Sequence, residues 1–194
     1  MPVLQVIVAS TRPGRVGRCV ADWFVKEACK HASFEVRVAD LAEINLPLLD
    51  EPYHPSQRDY QHQHTKDWSA TVDAADAFVL VMPEYNFSFS AALKNAIDYL
   101  FFEWQYKPVG FVSYGNTSGG LRAVQMLKQV VTTLKMFPLN EAVAIQFVGQ
   151  YVNDQGGFDS NDAMAAAAAT VLDELVVMSD ALAPVRARQK AVER

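Results

Sequence analysis

The chain lacks any apolar run of the roughly 18 residues that a bilayer-spanning helix needs. Its opening stretch, residues 1–14, has no basic segment and only a short apolar one, so it reads as a first strand and not as a signal peptide. The cytoplasm is therefore the expected location. An excess of positive charge is missing too. The 17 Lys and Arg are outnumbered by 22 Asp and Glu, a formal net charge of −5, which argues against nucleic acid as a partner. Cysteine is scarce. Cys19 and Cys29 fall ten positions apart in one predicted helix, roughly 15 Å along its axis and beyond the reach of a disulfide. Two free, buried thiols are expected, in keeping with a reducing compartment. Internal repeats and linkers are absent, and the alanine run 165–169 is simply strong helix-forming sequence.

What is present suits a globular fold. The 194 residues are 51% hydrophobic and 20% charged, a balance that predicts one domain over 1–194, with 183–194 as a frayed, basic tail. Near-continuous apolar runs rich in β-branched residues predict strands buried on both faces at 3–9, 77–82 and 109–114. Further strands are expected at 34–38 and 142–147. Helical spacing predicts helices over 18–30, 68–75, 90–102, 121–135 and 162–182. Residues 41–66, with Pro47, Pro52 and Pro55 among them, read as a long surface excursion. Strand and helix alternate about five times, which predicts an α/β fold with a parallel sheet covered on both faces.

In such sheets ligands bind beyond the carboxyl ends of the strands. Three loops there have unusual composition. The first, 10–17, carries hydroxyls, glycines, Arg12 and Arg15 ahead of a helix. Backbone N–H groups at a helix N-terminus, reinforced by guanidinium groups, suit a phosphate. Two arginines at that terminus oppose the helix dipole unless an anion is bound, although an ordinary cap with solvated arginines would look similar. The loop matches neither the G-x-G-x-x-G fingerprint nor the Walker lysine loop, which disfavours a dinucleotide Rossmann site and an NTPase. The second loop, 83–88, offers Tyr85 and Phe87 as walls and Asn86 as an edge hydrogen-bonder for a flat heteroaromatic ligand; Pro and Asn are also plain turn formers. The third, 113–120, is rich in glycine, which lets backbone approach a ligand closely, or simply makes a flexible turn.

Ser10-Thr11-Arg12, Pro83-Glu84-Tyr85-Asn86 running into Ala92-Leu93-Lys94-Asn95-Ala96-Ile97-Asp98, and Ser113-Tyr114-Gly115 with Gly119-Gly120 together resemble the NADPH-dependent FMN reductase family, which includes quinone, azo and chromate reductases. The likeness runs from the first strand to about the fifth. It implies a flavodoxin-like fold with five parallel strands in the order 2-1-3-4-5, bound FMN, and NADPH or NADH as hydride donor. On that resemblance Ser10, Arg12 and the backbone near Val16 and Gly17 would hold the phosphate, with Arg15 assisting. Pro83, Glu84, Tyr85 and Asn86 would line the ring, and Ser113, Gly115 and Gly119 would contact the ring or the ribityl chain. The chemistry would be the flavin's. Hydride would pass through bound flavin to a small acceptor (flavin, quinone, azo compound or metal oxyanion) in a ping-pong scheme, with no catalytic side chain and no metal. A homodimer or homotetramer is implied, with no membrane insertion.

Two rivals are a flavodoxin-like electron carrier without fast NAD(P)H oxidation, and a flavodoxin-like shell without cofactor; the paired arginines and the three-loop pattern argue against them. Among the other residues, His62 and His64 read as solvated or interface side chains. Glu84 offers a carboxylate in a pocket but is not expected to act as acid or base. Lys94 and Asp98 form an i,i+4 pair, and the nearby Tyr99, Phe101, Phe102 and Trp104 are expected to help form a subunit interface.

Overall fold

The computed structural model describes residues 1–192. Five strands, β1 (Val3–Val8), β2 (Glu35–Asp40), β3 (Ala77–Pro83), β4 (Pro108–Tyr114) and β5 (Phe137–Ile145), form one sheet in the order β2-β1-β3-β4-β5. All neighbouring pairs are parallel. The helices are α1 (Gly17–His31), α2 (Leu41–Ile44), α3 (Gln63–Asp73), α4 (Ala91–Asp98), α5 (Leu121–Thr133) and α6 (Asp162–Val192). This is the flavodoxin-like arrangement expected.

The central strands explain themselves. Every residue of β3 and β4 is buried, because helices cover both faces and each side chain alternates between two cores. On one face Val6, Val8, Val79 and Val81 pack with Phe24 of α1 and Leu172 and Leu175 of α6. On the other, Ile7, Leu80 and Met82 pack with Trp68 of α3, Leu93 of α4 and Leu127 of α5.

Several expected boundaries move. β5 begins at Phe137, five residues before the expected Ala142. It is an edge strand, half-exposed, with Pro138 and Glu141 interrupting the apolar pattern. α3 begins at Gln63 and not at Trp68; its first turn is polar, although Thr65 is buried. The expected helix 90–102 ends at Asp98, and a 3-10 turn follows at Phe102–Trp104.

The expected frayed tail is corrected over 183–192. α6 continues through Pro184 to Val192. Arg186 donates to the Tyr106 carbonyl (3.1 Å) and to Asp76 (3.2 Å), and Gln189 donates to Gln105. These long-range partners hold the last turns in place, and none is visible in the local sequence. Residues 193–194 lie outside the described residues.

Two further expectations are corrected. Tyr99 and Trp104 are core residues, 0% and 1% exposed, so they are unavailable to a subunit interface; the Trp104 indole N–H donates to the Ile97 carbonyl. Both cysteines are free, but Cys29 is exposed and Cys19 only half-buried.

Candidate functional site

The order β2-β1-β3 reverses the direction of winding at β1, and there a cleft of about 760 Å³ opens at the carboxyl ends of β1, β3 and β4. The three loops picked out in the sequence converge on it.

The β1–α1 loop supplies the cationic end. Val16 precedes α1 without a side-chain cap, and no acidic residue stands in the first turn, so the helix presents uncompensated N–H groups and the positive end of its dipole. Arg12 is exposed and borders the cleft, and its guanidinium has no hydrogen-bond or ion-pair partner among the described residues. Arg15 also borders the cleft, but its guanidinium is engaged. It grips Asp40 with both terminal nitrogens and donates to the Ser10 carbonyl at 2.7 Å. Asp40 is the last residue of β2, in register with Val8 at the end of β1. Its carboxylate also accepts from Arg18 and from the Ala42 N–H. Burial alone would push the Asp40 carboxyl up; the Arg15 bond and the other donors outweigh it and hold the group below the usual carboxylate range.

The β3–α4 loop makes one wall. Tyr85 and Ser88 exchange both backbone hydrogen bonds, at 2.8 and 3.0 Å, around Asn86 and Phe87, whose φ values are +50° and +71°. Two central residues with positive φ mark a type I′ geometry. Asn tolerates it readily, whereas Phe is held there against its preference. The Arg122 guanidinium covers the exposed Phe87 ring at 3.9 Å. Two contacts tie this wall to the first loop: Tyr85 Oη and Ser10 Oγ share a hydrogen bond at 3.1 Å, and Ser90 Oγ, which caps α4, donates to the Ala9 carbonyl at 2.8 Å.

Glu84 joins the second loop to the third. Its carboxylate accepts from Ser118 Oγ (2.7 Å), from the Arg122 side chain (2.6 Å) and from the Arg122 N–H. Burial raises this carboxyl, but Ser118 and Arg122 more than offset that and lower it below its ordinary value. The group is a fixed anion that orients the start of α5, with no proton to pass on.

In the β4–α5 loop, Gly120 sits at φ +85°, and a Cβ there would strike the Ser113 side chain and the Tyr114 nitrogen. Ser113 is fully buried and donates to the Gly119 carbonyl at 2.8 Å.

Nine of the twelve expected site residues therefore border the cleft: Ser10, Arg12, Arg15, Val16, Pro83, Glu84, Tyr85, Asn86 and Gly115. Gly17, Ser113 and Gly119 stand behind it as structural supports. Three lining residues were not anticipated as site residues: Tyr114, Asn116 and Val148. Tyr114 ends a fully buried strand and reads as core, and Val148 follows the edge strand as a single apolar residue outside the three loops picked out in the sequence. Tyr114 nevertheless carries a buried hydroxyl that makes no hydrogen bond of full geometry among the described residues.

The histidines lie elsewhere. His62 and His64 stack at 5.2 Å, and His64 bonds Asp50 at 2.9 Å on the surface excursion. Lys94 and Asp98 pair at 2.6 Å along α4.

Comparison with known proteins bears on the family and the fold. The family model described as NADPH-dependent FMN reductase matches residues 2–150. An NAD(P)H-dependent FMN reductase of Schizosaccharomyces pombe is 39% identical over 137 residues, 70% of this chain and 68% of that protein. An FMN-dependent NADPH-azoreductase of Staphylococcus aureus is 30% identical over 142 residues, 72% of this chain and 74% of that one. Among solved structures, the flavoenzyme NAD(P)H:(acceptor) oxidoreductase FerB of Paracoccus denitrificans superposes with a TM-score of 0.70 over 93% of this chain and 98% of its own, at 19% identity.

Proposed function

The chain belongs to the NADPH-dependent FMN reductase family, and from that premise we propose that it binds FMN in the cleft between β1 and β3 and oxidises NAD(P)H to reduce a small acceptor. The observation that carries this reading is the pairing of an unpartnered Arg12 with an uncapped α1 N-terminus at one end of an open cleft.

The residues present fit a phosphorylated flavin. Arg12, the α1 amides near Val16 and Gly17, and the Ser10 hydroxyl would hold the phosphate, the standard use of a helix N-terminus. Arg15 would act behind them, fixing the Ser10 carbonyl and hence the turn of the loop. The backbone of 83–86, with Tyr85 as an aromatic wall, and Gly115 with Asn116 opposite, would enclose the ring system. When bound, FMN supplies a two-electron carrier that takes hydride from NAD(P)H and releases it to an acceptor, the donor leaving before the acceptor enters. The chain's own work is binding and orientation: no side chain at the cleft is set up as a nucleophile, and the one lining carboxylate, Glu84, is locked to Arg122.

The acceptor belongs to the set of free flavin, quinone, azo compound or metal oxyanion, in line with relatives named as FMN reductase and azoreductase. The same proposal includes a cytosolic location and a homo-oligomer. Among the described residues no helix is long and apolar enough to cross a membrane. A groove of about 540 Å³ between α4 and α5, lined by Phe89, Phe101 and the exposed Met126, supports association.

The test is the absorption spectrum of the purified protein reconstituted with FMN, followed by anaerobic stopped-flow mixing with NADPH. A bound-flavin spectrum that bleaches rapidly is expected. A colourless protein that takes up no FMN removes the reading, and bound FMN that NADPH reduces only slowly would make the chain an electron carrier.

A further inference from the structure

We propose that Tyr114 is a positioning residue of the phosphate site, holding the Ser10 hydroxyl in the orientation that donates to a bound phosphate. This rests on the FMN reading above and goes beyond it by assigning a role to a side chain outside the loop that would touch the ligand.

Tyr114 closes β4, and its residue surface is 4% exposed. A phenol that deep normally finds a partner. This one makes no hydrogen bond of full geometry among the described residues, although the Ser10 side chain lies close enough to bias its protonation. Its ring packs with the α1 and α6 face of the core, and its oxygen arrives at the start of α1. A Cβ at Gly17 would collide with that hydroxyl and come within 3.3 Å of Ser10 Cβ, so the phenol and Ser10 border the same small space, which stays open only because residue 17 is glycine. Burial pushes the Tyr114 phenol well above its ordinary pKa, and the neighbouring Ser10 side chain, with a smaller contribution from the Arg15 charge, lowers it too weakly to reverse that. It remains a hydrogen-bond donor across the working pH range.

The serine explains why a donor is needed. A hydroxyl has one proton and two lone pairs. Ser10 Oγ already shares one hydrogen bond with Tyr85 Oη. If Tyr85 and Tyr114 both donate into it, its two lone pairs are filled and its own proton must point outward, toward the cleft that Ser10 lines. A serine so arranged has no lone pair left to accept with and is free only to donate, as an anion requires. Because the phenol makes no bond of full geometry in the flavin-free fold, Phe at this position would cost that fold little.

The experiment is a fluorescence titration of the full-length chain, freed of flavin, with FMN and with riboflavin, for wild type, Tyr114→Phe, Ser10→Ala and the double variant. Riboflavin lacks only the phosphate, so the ratio of the two affinities isolates the phosphate site. Tyr114→Phe is expected to weaken FMN binding by about tenfold, the effect of one misdirected bond to a charged group, to leave riboflavin binding unchanged, and to leave the melting temperature of the flavin-free chain equal or higher. On the Ser10→Ala background the Tyr114→Phe change is expected to add nothing. Equal losses for FMN and riboflavin, no loss for either, or a full additional loss in the double variant would each overturn the proposal. Wild-type chain that binds no FMN removes the cofactor reading itself, and this inference with it; wild type that binds FMN beside an indistinguishable Tyr114→Phe removes the inference alone.

Discussion

The two arginines of the β1–α1 loop look equivalent in sequence, yet the structure makes their removal separable. Arg12 is exposed and its guanidinium has no hydrogen-bond or ion-pair partner among the described residues, so Arg12→Ala should leave the melting temperature of the flavin-free chain almost unchanged, as surface substitutions do. Its effect should fall on the ligand: loss of a charge-assisted contact to phosphate, about 1–3 kcal/mol, or roughly 5- to 150-fold in FMN affinity. Arg15→Ala should do the reverse. The Arg15 side chain is 17% exposed and that of Asp40 1%, so the substitution strands a buried carboxylate. Breaking a buried pair in this way typically destabilises by about 3–5 kcal/mol. Arg18 remains 3.2 Å from Asp40 and the Ala42 N–H still donates to it, which places the expected loss nearer 2–3 kcal/mol. For a chain of this size that corresponds to a fall in Tm of roughly 4–12 °C. The assay is thermal melting of each flavin-free variant, beside FMN titration by fluorescence quenching. If Arg15→Ala melts like wild type while losing FMN as Arg12→Ala does, then Arg15 is a direct ligand and the division of labour argued from its Asp40 bond is wrong.

Two further outcomes follow from the same network. Asp40 and Glu84 both titrate below their unfolded values in the native chain, so the stability they contribute is present above the unfolded carboxylate range of about pH 4 and is lost as pH falls through their folded values. Acid unfolding followed by circular dichroism should therefore show a loss of stability below about pH 4 that is shallower in Asp40→Asn, and an unchanged acid limb in that variant would contradict the assignment. Gly120→Ala should destabilise by more than about 1 kcal/mol, because residue 120 combines a positive φ with a Cβ position 2.7 Å from the Ser113 side chain; a wild-type urea midpoint would show that the loop relaxes freely.

How much of this was legible in the sequence depended on whether the deciding contact was local. β3 is written as an unbroken apolar run because helices cover both its faces, and burial on two sides leaves no polar position to blur the pattern. The first and third site loops were legible for a similar reason: a backbone that must turn sharply and present N–H groups favours glycine and hydroxyl residues, while the second was flagged by its Pro83 and Asn86 turn formers and its aromatic residues. β5 was half hidden because an edge strand meets solvent and tolerates Pro138. The last turns of α6 were hidden because a proline normally ends a helix, and the partners that hold these turns, Tyr106, Asp76 and Gln105, lie 80 or more positions away.

The same distinction explains the two residues whose roles differ most from their sequence appearance. Arg15 stands beside Arg12 in a loop that suits an anion, and only the parallel pairing of β1 with β2, which sets Val8 opposite Asp40, delivers a carboxylate to it from 25 residues away. That carboxylate neutralises one of the two guanidinium charges, so the cationic end of the cleft carries the free charge of Arg12 and an oriented loop in place of two mobile arginines. Tyr114 is the mirror case. Pairing of β3 with β4 sets it opposite Pro83, which sends a residue that reads as core to the floor of the site. In both, strand register carries a polar group into the nest from outside its own loop. A site assembled in this way should therefore be more sensitive to Asp40 and Tyr114 than to Thr11, an exposed residue within the loop itself.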